Sequence, residues 1–127
     1  MASRKVEDLV PAMQLAAVRF AATMAERGIP FMFTCTYRSQ EEQDALYAQG
    51  RTKPGPKVTW TTHSKHTERL AFDIAILKDG KPTWDVKVDI DLSHTSDYID
   101  AGEIGKSLGL KWGGDFKTKD FPHFEMG

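Results

Sequence analysis

The chain has 127 residues, the length of one domain spanning 1–127, and its 40% hydrophobic and 28% charged content excludes disordered, collagen-like and coiled-coil classes. Seventeen Lys+Arg stand against eighteen Asp+Glu for a net charge of -1, so affinity for a phosphate backbone is not expected and nucleic acid is not an expected partner. The single cysteine, Cys35, leaves no internal disulfide and no zinc site of paired cysteines, so a metal would have to take His and carboxylate ligands.

Glu7, Asp8 and Pro11 interrupt the N-terminal stretch, which lacks the unbroken apolar run of a signal peptide. No segment approaches the roughly 20 apolar residues needed to span a bilayer. The expected product is made and held in the cytosol until other machinery releases it. From near Val10 to Arg27, Met13, Ala16, Ala17, Phe20, Ala21 and Met24 recur at helical spacing, which predicts a helix with one buried stripe, Pro11 in its first turn and Gly28 as its stop. Phe31 to Tyr37 alternates Phe31, Phe33 and Cys35 with Met32, Thr34 and Thr36, the pattern of a core strand. Ser39 followed by Glu42 is a capping box that opens a second helix through Gln43, Leu46 and Tyr47, stopping at Gly50.

The stretch from Arg51 to Glu68 holds two prolines and a glycine and fits no period, so it is read as a long surface loop, a setting that is usually functional. Leu70 to Leu77 reads as a strand with Ala71, Asp73 and Ala75 on one face and Phe72, Ile74 and Ile76 on the other. Lys78-Asp79-Gly80-Lys81 predicts a turn, and Trp84 to Ile90 a further short strand. Ser96 or Asp97 caps a third helix that ends at Gly109. Trp112-Gly113-Gly114-Asp115 is read as an aromatic-anchored turn, and in the closing strand Phe121, His123 and Glu125 share one face.

Of the four histidines, His66 sits at the end of the Gly/Pro-rich loop seven residues before Asp73, and His123 lies on the closing strand. Two imidazoles and a carboxylate suffice for a catalytic zinc, because three protein ligands leave a fourth position for water. Spacing alone does not force these residues together. The segment Ser64-Lys65-His66-Thr67-Glu68-Arg69-Leu70-Ala71-Phe72-Asp73, however, resembles the S-x-H-x-x-G-x-A-x-D motif of the zinc peptidases that cut peptidoglycan stem peptides. Asp120-Phe121-Pro122-His123 resembles that superfamily's second motif, and Tyr37-Arg38-Ser39 with Glu42-Gln43 and the run from Leu46 to Thr52 resembles the N-terminal signature of its L-alanyl-D-glutamate endopeptidase branch, phage endolysins included. One position departs from the pattern: Arg69 stands where the motif has glycine, and Arg does not take a left-handed conformation cheaply.

The resemblance implies a fold of class α+β, helices packed on a small, mainly antiparallel sheet, as in the zinc DD-peptidase (hedgehog-like) fold. It implies Zn²⁺ held by His66, Asp73 and His123, which polarises the scissile carbonyl and acidifies its water, with Asp120 as general base and then acid. On a regular strand Asp120 and His123 would face opposite ways, so a bend at Pro122 is expected. Arg38 is the candidate for stabilising the oxyanion or gripping a substrate carboxylate, and Ser64 and Lys65 are the other candidate substrate contacts. Cys35, in an apolar strand, is read as an inert buried thiol. Glu125 is placed to hold the His123 tautomer.

Asp89, Asp91, Ser93, Asp97 and Asp100 occupy the side-chain positions of a calcium loop, but His94 stands where the glycine belongs and Asp100 where a bidentate Glu belongs, so helix capping is the simpler reading. The expected activity is hydrolysis of peptidoglycan stem peptides at the L-alanyl-D-glutamate bond by a monomeric phage or prophage endolysin, without membrane insertion and released to the wall by a holin. A D-alanyl-D-alanine carboxypeptidase or dipeptidase is the nearest alternative. A non-catalytic wall-binding module on the same fold is the alternative from another class.

Overall fold

Pro11 occupies the first turn of α1 (Pro11–Glu26), where its missing N–H leaves no helical bond unmade, and Gly28 follows the helix at φ 69°. The computed structural model describes residues 2–127. Met13, Ala16, Ala17, Phe20 and Met24 of α1 are buried, the stripe expected from their spacing. They pack on a sheet of β1 (Phe31–Cys35), β2 (Ala71–Lys78), β5 (His123–Glu125) and β4 (Lys111–Trp112), in that spatial order and with every pair antiparallel; β3 (Lys81–Thr83) extends β2 as a hairpin. Phe20 meets Phe31, Phe72 and Phe124 with ring centroids 5.0 to 5.3 Å apart. Each of the fully buried rings Phe20, Phe72 and Phe124 stabilises the fold by roughly 1.5–3 kcal/mol.

β2 is the central strand, and its two faces do different work. Phe72, Ile74 and Ile76 enter the hydrophobic cluster, while Ala71, Asp73 and Ala75 point to the opposite side. The register sets Asp73 opposite Cys35 on one neighbour and opposite His123 on the other. Between Phe33 and Cys35 the β1 register slips by one residue. Without that bulge Thr34 would oppose Asp73 and Cys35 would continue the core face of Phe31 and Phe33. The extra residue rotates Cys35 onto the Asp73 row, so the strict alternation read from the sequence fails at this position.

α2 (Gln40–Ala48) opens with both halves of the capping box formed: Ser39 Oγ accepts from Glu42 N at 3.1 Å, and Ser39 N donates to Glu42 Oε1 at 3.0 Å. The segment Trp84 to Ile90 is not a strand. Asp85 accepts from Lys87 N through its side chain at 2.9 Å and from Val88 N through its carbonyl at 3.1 Å, a local turn that takes the backbone groups a ladder would need. Strand pairing falls earlier, where a two-residue Asp79-Gly80 turn with φ 55° and 77° closes the β2–β3 hairpin. Phe121 likewise lies outside the closing strand, which begins at His123.

α3 (Asp97–Ser107) lies close against the sheet because two of its glycines leave room. A Cβ on Gly102 would fall 2.4 Å from the Trp112 ring, and one on Gly105 would fall 2.5 Å from the Phe124 ring. Among the described residues no helix is long and apolar enough to cross a membrane. Gly105→Ala pits a helix-propensity gain of about 1 kcal/mol against overpacking of about 1–3 kcal/mol at a fully buried ring. The variant is expected to lower the urea midpoint at unchanged m-value; a midpoint at or above that of the parent would show that Phe124 yields without cost.

Candidate active site

His66 is carried by a short 3-10 helix, Lys65–Glu68, whose N-terminus is capped by Ser64 Oγ accepting from the His66 N–H at 3.1 Å. Arg69 ends that helix at φ 62°, in the left-handed conformation that the motif's glycine would supply. The side chain offsets a cost of roughly 1–2 kcal/mol by stacking its guanidinium 3.9 Å over the Tyr37 ring and donating to the Asp8 carbonyl at 2.8 Å. The departure from the motif therefore leaves the local backbone shape intact.

The His66 ring is buried. Its Nδ1 lies 3.2 Å from the Thr36 carbonyl and 3.5 Å from Cys35 Sγ. A carbonyl can only accept, so Nδ1 carries a proton, and Nε2 is the nitrogen that faces the site. Nε2 stands 3.1 Å from Asp73 Oδ1 without hydrogen-bond alignment and is a buried nitrogen with no hydrogen-bond partner. His123 approaches the same Asp73 oxygen from the other side with Nδ1 at 2.9 Å, while its Nε2 donates to Glu125 Oε1 at 2.8 Å. Glu125 thus holds the imidazole as the sequence suggested, and the two rings face each other edge-on, centroids 5.2 Å apart.

The electrostatics follow from this triplet. Burial would favour neutral His66, but the closeness and charge of Asp73 at Nε2, with Cys35 beside Nδ1, outweigh it and push the pKa up to about 10. His123 follows the same pattern, burial opposed and exceeded by Asp73 and Glu125, and rises to about 9. Asp73, despite its burial, is held far below the usual carboxylate range by the two imidazoles.

Asp120 is brought to the cleft by the bend expected at Pro122. The His123 N–H donates to the Asp120 carbonyl at 3.1 Å and the Asp120 N–H to the Gly113 carbonyl at 2.8 Å, so the chain turns before β5 begins. A Cβ on Gly113 would fall 2.1 Å from the Asp120 carbonyl oxygen, which is why this position has no side chain. The Asp120 carboxyl lies on the solvent side of the cleft and is shifted upward, by desolvation first and then by the charge of Asp73.

Arg38 has no carboxylate partner among the described residues. Its Nη1 donates to Gln43 Oε1 at 2.7 Å and its Nη2 lies 3.6 Å from Cys35 Sγ. Gln43 is fully buried and anchored in turn by donating to the Thr61 carbonyl at 2.7 Å. Arg38, Ser64, Lys65, His66, Asp73, Asp120 and His123 all line one cleft of about 790 Å³. Ser64 Oγ is engaged in capping, and Lys65 lies 3.6 Å from Glu68. Sequence reasoning missed Gln43 as the support for Arg38, Gly113 as the seat of Asp120, and Cys35 as a neighbour of His66. For the first, the sequence offered only a glutamine one turn into a capped helix, with nothing to mark its burial.

The donor set can hold a metal ion. Cys35, His66 and Asp73 offer donor atoms within 4.8 Å of one another, and His123 adjoins them through Asp73. Cys35 meets His66 on the Nδ1 side, where the Thr36 carbonyl already engages the ring, so the open donors are His66 Nε2, Asp73 and His123 Nδ1. Their separations of 2.9 and 3.1 Å are slightly shorter than the roughly 3.3 Å between neighbouring ligands of a tetrahedral zinc. An orphaned Nε2 is what such an ion would satisfy.

The sequence profile described as D-alanyl-D-alanine carboxypeptidase, of the M15 peptidases, matches residues 57–126. The chain is 44% identical over 123 residues to the peptidoglycan L-alanyl-D-glutamate endopeptidase CwlK of Bacillus subtilis (strain 168), a match spanning 94% of this chain and 74% of that protein. The crystal structure of the Serratia marcescens L-Ala D-Glu endopeptidase ChiX superposes with a TM-score of 0.69 at 21% identity, covering 100% of this chain and 89% of that one, which shows a common fold. With the family profile covering more than half of its length and a close relative covering nearly all of it, the chain belongs to the M15 peptidase family.

Proposed function

We propose that this chain is a zinc-dependent peptidoglycan endopeptidase that hydrolyses the L-alanyl-D-glutamate bond of stem peptides, with His66, Asp73 and His123 as metal ligands and Asp120 as general base. The observation that carries the reading is the convergence of two oriented imidazoles on one Asp73 oxygen, in a cleft that Asp120 also lines, in a chain 44% identical to CwlK. Asp at the carboxylate place of the second motif favours this bond over D-alanyl-D-alanine. A zinc ion held there supplies an electrophile for the scissile carbonyl and acidifies water toward a pKa of about 7.

The chain's own groups do the rest. Asp120, its pKa already raised, accepts the proton of the attacking water and returns it to the leaving D-glutamate amine. Arg38, held by Gln43, presents its remaining N–H groups to the carbonyl oxygen or to a substrate carboxylate. Lys65 and Ser64 line the approach for the stem peptide. In the cell, the proposal has a monomeric phage or prophage endolysin, made in the host cytoplasm and delivered to the wall through a holin. Co-expression with and without a holin tests that part, lysis confined to the former being expected.

Digested muropeptides read by mass spectrometry should carry new N-terminal D-glutamate and leave L-alanine on the muramic acid. Loss of a terminal D-alanine instead would favour the carboxypeptidase reading, and no product at all the wall-binding one. Activity that survives zinc removal by a strong chelator would overturn the metal assignment. For Asp120→Asn, zinc content is expected to stay at one per chain while kcat falls about 10²- to 10⁴-fold; near-normal turnover would remove Asp120 as the base.

The raised histidine values also make a prediction for the metal-free protein. Both imidazoles are protonated near neutral pH, so zinc uptake must expel about two protons, and affinity should weaken as pH falls. Calorimetry in buffers of different ionisation enthalpy counts these protons. Because the folded pKa values lie above the ordinary 6.5, the charged histidines stabilise the metal-free fold fully below that value, and this contribution is lost as pH rises through about 9 and about 10. Urea midpoints of metal-free protein should fall across that alkaline window, and a flat profile would contradict the ion triplet.

A further inference from the structure

We propose that Asp89, Asp91 and Asp97 form a Ca²⁺ site at the entrance to α3, apart from the cleft that holds His66 and His123. Each offers a carboxylate oxygen, and the three atoms lie within 4.8 Å of one another. An acidic cluster alone is ordinary at the start of a helix. What sets this one apart is Asp97, whose side chain is fully buried. Its Oδ2 accepts from the Ile90 N–H at 2.6 Å, but Oδ1 is buried with no partner. The loop's Ile90 N–H accounts for the first oxygen, with no side-chain cap formed at this helix end, and leaves the second without a donor, an arrangement that is costly unless a cation or a proton fills it.

The surroundings favour a cation. Burial and then the neighbouring charges of Asp91 and Asp89 push the Asp97 carboxyl up; a proton relieves this at one oxygen, whereas a divalent ion held by the three grouped oxygens neutralises all the carboxylates at once. Asp89 and Asp91 are oriented by the Ser93 N–H, at 3.1 and 3.2 Å, and Asp89 also by the His94 N–H at 3.0 Å. All the donors are oxygen, which selects a hard cation, and an irregular set with room for water suits Ca²⁺ better than the strict octahedron of Mg²⁺. The missing loop glycine is no obstacle, because His94 itself adopts φ 71°. Asp100 closes the twelve-residue spacing, yet its Oδ1 lies 3.4 Å from Arg27 Nη2 and its Oδ2 accepts from Ser93 Oγ at 3.1 Å. With that carboxylate partly engaged, the affinity belongs at the weak end of the range, about 10⁻⁴ to 10⁻³ M.

The test uses zinc-loaded protein in calcium-free buffer, titrated with CaCl₂ and in parallel with MgCl₂ in a calorimeter, with melting temperatures recorded at saturation. The expected result is one Ca²⁺ per chain and a rise in melting temperature of about 5 °C. Asp91→Asn should weaken Ca²⁺ binding at least about tenfold. In calcium-free buffer it should melt no lower than the parent, because it removes repulsion from the empty cluster. The proposal is overturned if Ca²⁺ gives neither heat nor a melting shift, if Asp91→Asn binds as the parent does, or if Mg²⁺ binds as tightly as Ca²⁺.

Discussion

The site depends on one carboxylate placed where a sheet should be apolar. Asp73 is the third residue of the eight-residue central strand, and its half-buried charge is tolerable only because two imidazoles share its Oδ1 at 2.9 and 3.1 Å. Removing either ring would leave a desolvated charge facing one partner. The arrangement therefore works as a unit, and other features can be understood as ways of holding its three members in place. The Thr36 carbonyl and Glu125 orient the rings, Ser64 caps the turn that presents His66, and Gly113 lets the segment before β5 fold back so that Asp120 faces the same space. A metal bound by these donors replaces protons on groups the fold has already desolvated and oriented.

Much of this was legible in the sequence because it rests on local rules. Helix α1, the Ser39–Glu42 box and the Asp79-Gly80 turn follow from periodicity and cap chemistry, and the two-faced strand around Asp73 follows from alternation. The proposed ligands were legible only through the motif resemblance, since seven residues of loop and strand impose no convergence. What remained hidden depends on tertiary register. The bulge at Thr34 changes which face Cys35 occupies, and no composition signal marks it. Asp85 looked like one polar residue in a short strand, whereas its side-chain and carbonyl bonds make a turn that excludes the strand. Gln43 and Gly113 act through single contacts across the fold, a buried amide under Arg38 and an absent Cβ under Asp120.

Arg69 shows how a local rule can be broken without losing the structure. A non-glycine residue at φ 62° is strained, but the same side chain stacks on Tyr37 and bonds the Asp8 carbonyl, tying the N-terminal segment to the turn that carries His66. The strain and its compensation come from one residue, so a glycine there would relax the backbone and release the tether together. The motif's glycine is thus one solution to a left-handed position, and a long cation with two partners is another.

Site geometry is also coupled to packing behind the sheet. β5 carries His123 toward the cleft and Phe124 toward the core, so anything that shifts Phe124 shifts the imidazole by way of one backbone. Phe124 is clamped between α1, through Phe20 at 5.0 Å, and the glycine-bearing face of α3. The first turn of α3 is in turn fixed by the loop whose Ile90 N–H donates to Asp97 and whose Val88 carbonyl accepts from the Asp97 N–H. The acidic loop at that end of α3 and the cleft are therefore joined by a continuous stack of packed elements, with no direct contact needed. Because packed interiors leave few voids, the Phe124 ring and the glycine-bearing face of α3 fix each other's position, and the backbone of β5 is held with them.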